Sequence, residues 1–262
     1  MSLLEVKGVS KHFGGLAALS NLDLAIQEGE VRGIIGPNGA GKTTLYNVIS
    51  GLYKPTSGRI YYQGHRIDGL NASRIARMGL IRTFQRTAIY HEFSVLKNVT
   101  IARHLHRQRS ILGVFTGSIK KNEGENEQKA LEIVNFMGLG GLKDELAKNL
   151  PHGHQRALGI AIALACEPKV LLLDEPLTGM HTSEKKSMID HVRKVHQSGI
   201  TILIVEHDMK SVMELCDYIS VLDFGKLLVE GTPKEIQNDR SVIEAYLGTE
   251  DITSLGGDAV AT

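Results

Sequence analysis

The chain has 262 residues, 42% of them hydrophobic, and a formal net charge of +1. That is enough apolar residue for a sizeable core, and too little net charge for a disordered chain or a globally basic nucleic-acid binder. No run approaches the roughly 18 apolar residues of a membrane span, and the opening MSLLEVKGVSKHF is too charged for a signal peptide, so a cytoplasmic protein is expected. Trp is absent and aromatics are 5%, which disfavours an aromatic platform for sugars or single strands; 28 glycines, in contrast, ask where the backbone must approach something closely.

In chain order, LLEVKGVS and LAALSNLDLAI read as strands, the second closing at Glu28-Gly29. The apolar run VRGII reads as a further strand, followed by a helix from Lys42 to Ser50 with Gly51 as its stop. RIYYQGHRI and LIRTF (80–84) read as strands, and VLKNVTIARHL and EQKALEIVNFMGL as helices, with 110–126 between them read as loop. From 155 onward helix and strand alternate: QRALGIAIALA, KVLLL, a helix over 183–198 with Gly199 at its C′ position, TILIV, a helix over 209–215, and YISVL. Such alternation predicts an α/β fold with a doubly wound, mostly parallel sheet, beside antiparallel strands at the N-terminus. Thr232-Pro233-Lys234-Glu235 is a capping box with Pro at N1, and the last dozen residues read as a tail. Cys166 and Cys216 sit in apolar contexts and read as buried small hydrophobes. Residues 54–121 hold thirteen Lys or Arg against Asp68 and Glu92, a local excess that fits either an anionic partner or an ordinary solvated face.

Gly36-Pro37-Asn38-Gly39-Ala40-Gly41-Lys42-Thr43 fits G-x-x-x-x-G-K-[ST], after a strand and before a helix. Backbone N–H groups of such a loop wrap phosphates, the helix N-terminus adds its dipole, Lys42 supplies a cation and Thr43 a Mg²⁺ ligand. Lys169-Val-Leu-Leu-Leu-Asp174-Glu175 places Asp174 at the end of a doubly buried strand, where it can hold Mg²⁺ through water, and Glu175 where it can act as general base on water. Gln85 and His207 also follow strands. Ligands of open α/β sheets bind beyond the carboxyl ends of the strands, so all of these residues are expected on one edge.

These motifs resemble the ATPase subunit of ATP-binding-cassette (ABC) transporters over about residues 3–248. The resemblance implies a P-loop NTPase with a RecA-like core and antiparallel β strands over about 1–94 and 151–248, a helical subdomain over about 95–165, and a tail at 249–262. It implies ATP and Mg²⁺ as ligands. Phe13 would stack on adenine, residues Gly36, Pro37, Asn38, Gly39, Ala40, Gly41, Lys42, Thr43 and Thr44 would hold the phosphates, and Thr43, Gln85 and Asp174 would serve the metal. Lys42, Gln85, Glu175 and His207 would form the catalytic set. It also implies a head-to-tail dimer with the same chain or a paralogue, permease subunits met by the segment containing Ser94-Val95 and Asn98-Val99, an extracytoplasmic solute-binding protein, and a peripheral position on the cytoplasmic face of the inner membrane. No nucleic-acid partner is implied.

The family's L-S-G-G-Q signature is here Leu150-Pro151-His152-Gly153-His154, so the serine hydroxyl is missing, while Gly153 keeps a backbone donor and His152 and His154 offer imidazoles. Leu177-Thr178-Gly179-Met180-His181 likewise replaces the usual S-A-L-D. HFGGLAAL, L-P-x-G-x-Q-R, EHDMKSVMELCDYI and GTPKEI with SVIEAYLG resemble the branched-chain amino-acid uptake subgroup, whose relatives also serve urea or carboxylic acids. The rivals are a non-transport ATPase of the same class, a weakly hydrolysing regulatory nucleotide-binding module, and a metal protein. The first is opposed by the 132 positions between Lys42 and Asp174, which hold no sustained heptads, and by the single cradle. The last rests only on His104-x-His106 and His152-x-His154, whose i, i+2 spacing does not share a helix face.

Overall fold

The computed structural model describes residues 2–83, 89–107 and 119–247. β1 (Ser2–Phe13), β2 (Leu16–Gln27), β4 (Ser57–Tyr62) and β5 (His65–Arg66) form an antiparallel sheet in the order β2-β1-β4-β5. β2 alternates buried Leu22, Leu24 and Ile26 with exposed neighbours, the pattern of a sheet with one covered face. A second sheet runs β10-β9-β3-β8-β7-β6, from β3 (Val31–Ile35), β6 (Leu80–Arg82), β7 (Val170–Asp174), β8 (Thr201–Val205), β9 (Tyr218–Asp223) and β10 (Lys226–Gly231). Its pairs are parallel except β9 with β10.

β3, β7 and β8 are buried at every position, as apolar runs covered on both faces must be. Their side chains alternate between two cores. Ile34, Leu172, Leu203 and Val205 pack with the antiparallel sheet and α1 (Lys42–Ile49). Ile35, Leu171, Leu173, Ile202 and Ile204 face a core shared by α3 (Val95–Arg107), α4 (Ile119–Phe136), α5 (His152–Leu164), α6 (Thr182–Gln197) and α7 (Met209–Leu215). The capping box appears as expected, with the Glu235 carboxylate accepting from Thr232 N at 2.7 Å at the start of α8 (Pro233–Gln237).

The strand expected over RIYYQGHRI is a hairpin. Gln63 and Gly64 both adopt positive φ (50° and 74°), the geometry of a two-residue type I′ turn. β10 was not anticipated either: Phe224 and Gly225 (φ 42° and 76°) turn the chain back onto β9 in the same way. The sequence also hides α2 (Ala72–Arg77), capped by Asn71 Oδ1 accepting from Arg74 N at 2.9 Å, and α9 (Arg240–Leu247). α5 starts at His152, earlier than its apolar pattern suggests. The loop expected over 110–126 is helical from Ile119; residues 108–118 lie outside the described set, as do Phe84 at the end of LIRTF and the tail. The first half of α4 is mostly polar in sequence and carries little apolar periodicity; among the described residues, those it gives the apolar core, Ala130 and Val134, come late.

Two arginines of the basic stretch are buried on acids from outside it. Arg82 Nη2 meets Asp174 Oδ2 at 2.7 Å, and Arg103 Nη2 meets Glu167 Oε1 at 3.1 Å. Part of the local charge excess is therefore internal structure. Arg82 and Asp174 are both 6% exposed at their side chains. Arg82→Ala would leave a buried carboxylate without its counter-charge, so a loss of about 3–5 kcal/mol is expected in denaturant unfolding at pH 7. A change under about 0.5 kcal/mol, the range of ordinary surface substitutions, would show that Asp174 does not depend on this partner.

Candidate functional site

The loop 36–41 lies between the carboxyl end of β3 and the N-terminus of α1. Glycine is required where the loop is gripped by its neighbours. A Cβ on Gly36 (φ 146°) would fall 2.0 Å from the Leu222 carbonyl oxygen, and one on Gly41 (φ 101°) 2.7 Å from that of Ala18. The β9–β10 turn staples the loop from outside: Gly225 N donates to Ala40 O at 3.0 Å, and Ser20 N to Gly225 O at 2.8 Å. The buried Lys42 ammonium donates to Gly36 O at 2.5 Å and Pro37 O at 3.0 Å, so it sits folded into the cradle.

This loop forms one wall of a cavity of about 430 Å³ that also receives Phe13, Glu175 and His207. His207 Nε2 lies 2.6 Å from Glu175 Oε1, within hydrogen-bond reach of a carboxylate acceptor. Glu175 holds a left-handed backbone (φ 50°), unusual for a residue with a side chain, and its N–H donates to Val205 O at 2.9 Å. β7 and β8 thus present Glu175 and His207 to each other from adjacent strand ends.

Thr43 lines the cavity, whereas Asp174 is not among its lining residues and is paired with Arg82 instead. A hydroxyl and a carboxylate are the hard oxygen donors that Mg²⁺ takes, often with waters between, so the residue types fit that ion. Gln85 lies outside the described residues. His152, Gly153 and His154 open α5 away from this cavity. The His152 ring faces Gly179, 3.4 Å from where a Cβ would stand, while Gly153 and His154 line a second hollow with Glu184 and His191. Among the described residues no group of three or more His, Cys, Asp or Glu is placed to hold a metal.

Further residues at or beside the site were not anticipated from the sequence. Leu16 and Phe224 line the cavity, and Phe224 is 84% exposed. Glu206, directly before His207, is 2% exposed, and burial pushes its carboxyl up to about 7 against two backbone N–H donors. Only Glu206 had a local signal, an acid ending an apolar strand. In the segment compared with a permease contact, Val95, Asn98 and Val99 are buried, and Asn98 bridges Tyr90 N and Ser94 O. The exposed large apolar residues described there are Tyr90 (51%) and Phe93 (42%), with ring centroids 5.6 Å apart.

Residues 19–178 match the family model described as ABC transporter, and residues 226–252 match that described as branched-chain amino acid ATP-binding cassette transporter. The chain is 41% identical over 252 residues to the high-affinity branched-chain amino acid transport ATP-binding protein LivG of Salmonella typhimurium, covering 94% of this chain and 98% of that one. It is 39% identical over 251 residues to BraF of Pseudomonas aeruginosa, a protein of the same description, with the same coverage. A nucleotide-free ATP-binding cassette from an ABC transporter superposes with a TM-score of 0.84 at 32% identity, over 95% of this chain and 100% of that one. A cassette in its ADP conformation gives 0.83 at 31%, with the same coverage.

Proposed function

The chain belongs to the ABC transporter family of ATP-binding cassettes, and on that premise we propose that it is the ATP-hydrolysing subunit of an importer for branched-chain amino acids or a related small solute. The observation that carries the catalytic part is the single cavity joining the phosphate cradle to the Glu175–His207 pair. In this reading the backbone N–H groups of residues 36–44, the α1 dipole and Lys42 bind the ATP phosphates, and Phe13 stacks on the base. Thr43, Gln85 and Asp174 would hold Mg²⁺, which when bound would supply neutralising charge at the phosphates.

Glu175 removes a proton from the water that attacks the γ-phosphorus, the bond to the bridging oxygen breaks, and ADP and inorganic phosphate result. His207 holds the Glu175 carboxylate in place through its Nε2 contact. Closing the site requires a second cassette, the same chain or a paralogue, whose His152, Gly153 and His154 face the nucleotide across the dimer. Gly153 contributes its backbone N–H and the α5 dipole where the family's serine is absent.

The organisation proposed is a core plus antiparallel strands, a helical subdomain over about 95–165 and a short tail. No helix among the described residues is long and apolar enough to cross a membrane, so the membrane step is assigned to permease subunits, with this chain peripheral on the cytoplasmic face of the inner membrane. The exposed Tyr90–Phe93 pair is the apolar part of the surface offered to them. An extracytoplasmic solute-binding protein would complete the importer.

Purification of the chain from its own membranes tests the assignment. Permease subunits and a solute-binding protein should accompany it, and cells lacking the chain should lose uptake of labelled leucine, isoleucine and valine. Copurification with ribosomes or DNA, or unchanged uptake of all three together with urea and short carboxylic acids, would overturn it.

A further inference from the structure

Glu206 divides its carboxylate between two loops. Oε1 accepts the N–H of Leu177 at 2.6 Å, and Oε2 accepts that of His207 at 3.3 Å. Leu177 follows Glu175 by two residues, and the Glu175 side chain returns to the His207 ring at 2.6 Å. The contacts therefore close a circuit: Glu206 to Leu177, along the chain to Glu175, across to His207, and back. No apolar residue could accept two backbone N–H groups here, and leaving them unpaired in a buried place is costly.

Resting on the ATPase reading above, we propose that Glu206 is a positioning residue for hydrolysis: its buried carboxylate clamps the Leu177 and His207 backbones together and so holds the Glu175 carboxylate against the His207 ring. The clamp also fixes the start of the loop whose Gly179 faces His152, which links the hydrolytic pair to the first turn of α5. Glu206 belongs to neither the cradle nor the cavity wall, so its influence passes through Glu175 and His207.

The clamp needs both oxygens as acceptors, which only the ionised carboxylate provides, because a proton on one oxygen turns it towards donation. The groups that face Glu206 are Glu175 after β7, His207 and Asp208 after β8, the Tyr46 hydroxyl of α1 and Cys216 at the end of α7. Burial holds the Glu206 carboxyl at about 7 rather than 4.5, opposed by the Leu177 and His207 N–H groups and helped by repulsion from Glu175 and Asp208. Turnover should therefore rise as pH climbs through about 7, as the clamp becomes complete. Fold stability should move the other way. The folded-state value lies above the unfolded one, so the stability present below pH 4.5 is lost as pH rises through about 7.

The test compares steady-state ATP hydrolysis by the assembled wild-type complex with Glu206→Gln and Glu206→Asp across pH 6–8. Gln keeps the volume and one acceptor oxygen but turns an N–H₂ towards a backbone N–H. It should lower kcat about tenfold, the size of one bond to a charged group, with KM for ATP within about twofold. It should also lose both the rise in turnover near pH 7 and the opposing fall in melting temperature. Asp, one methylene shorter, should lower kcat while keeping an ionisation in the profile. Wild-type kcat in Gln, a rise in KM with kcat unchanged, or a Gln profile that keeps the wild-type ionisation would overturn the clamp. If Gln gives no cooperative melting, Asp decides, since wild-type kcat in Asp overturns it. A wild-type complex that does not hydrolyse ATP would instead overturn the ATPase reading beneath it.

Discussion

Glu175→Gln is expected to abolish nearly all turnover while leaving ATP binding intact, with kcat falling on the order of 10²–10⁴-fold, the contribution typical of a positioned general base. The substitution is nearly isosteric. The carboxamide oxygen can still accept from His207 Nε2, and the Glu175 N–H bond to Val205 O does not involve the side chain. What is lost is the capacity to take a proton from water. Removing a negative charge beside the phosphates should not weaken ATP binding, so the closed, ATP-filled dimer should accumulate and be seen by size-exclusion chromatography in ATP. Hydrolysis near the wild-type rate would remove Glu175 from the role of base, whatever its distance from His207.

Lys42→Ala should weaken ATP binding by about 10–100-fold, the equivalent of one charge-assisted hydrogen bond of about 1.5–3 kcal/mol. The Lys42 ammonium now rests on Gly36 O and Pro37 O, inside the loop that would surround the phosphates. Alanine suits the first turn of α1 and keeps the backbone N–H, so the cradle's other donors survive. Titration with ATP by calorimetry reads the change directly. Unchanged affinity in a protein that melts like wild type would contradict the cradle as the phosphate site.

The parts of the fold that were legible are those whose physical requirement is local. VLLLD and TILIV announce doubly buried strands because every residue is covered. Thr232 to Glu235 announces a helix start because its two capping bonds span three residues. The cradle is legible because a wrapped backbone tolerates only glycine at Gly36 and Gly41, and five of the 28 glycines fall within residues 29–41. The β9–β10 hairpin was hidden because its turn places a phenylalanine at positive φ, next to Gly225, whose backbone is bonded to Ser20 and Ala40. α4 begins earlier than read because the sequence before Ala130 is mostly polar and so carries little helical apolar periodicity.

The sequence alone therefore determined the residue types available: a glycine-rich loop of the kind that holds phosphates, a carboxylate at a strand end and an imidazole after a strand. Tertiary structure decided which of these meet. Asp174 turned out to be bonded to Arg82, 92 positions away, and Glu175 to His207, 32 positions away. Glu206 reaches back 29 positions to Leu177. Local rules are written in neighbouring residues, because helix caps, turns and strand faces involve only a few consecutive groups. Contacts between strand ends depend on which strands lie side by side, and that order, β3 beside β8 and β8 beside β7, is set by packing two cores against one sheet.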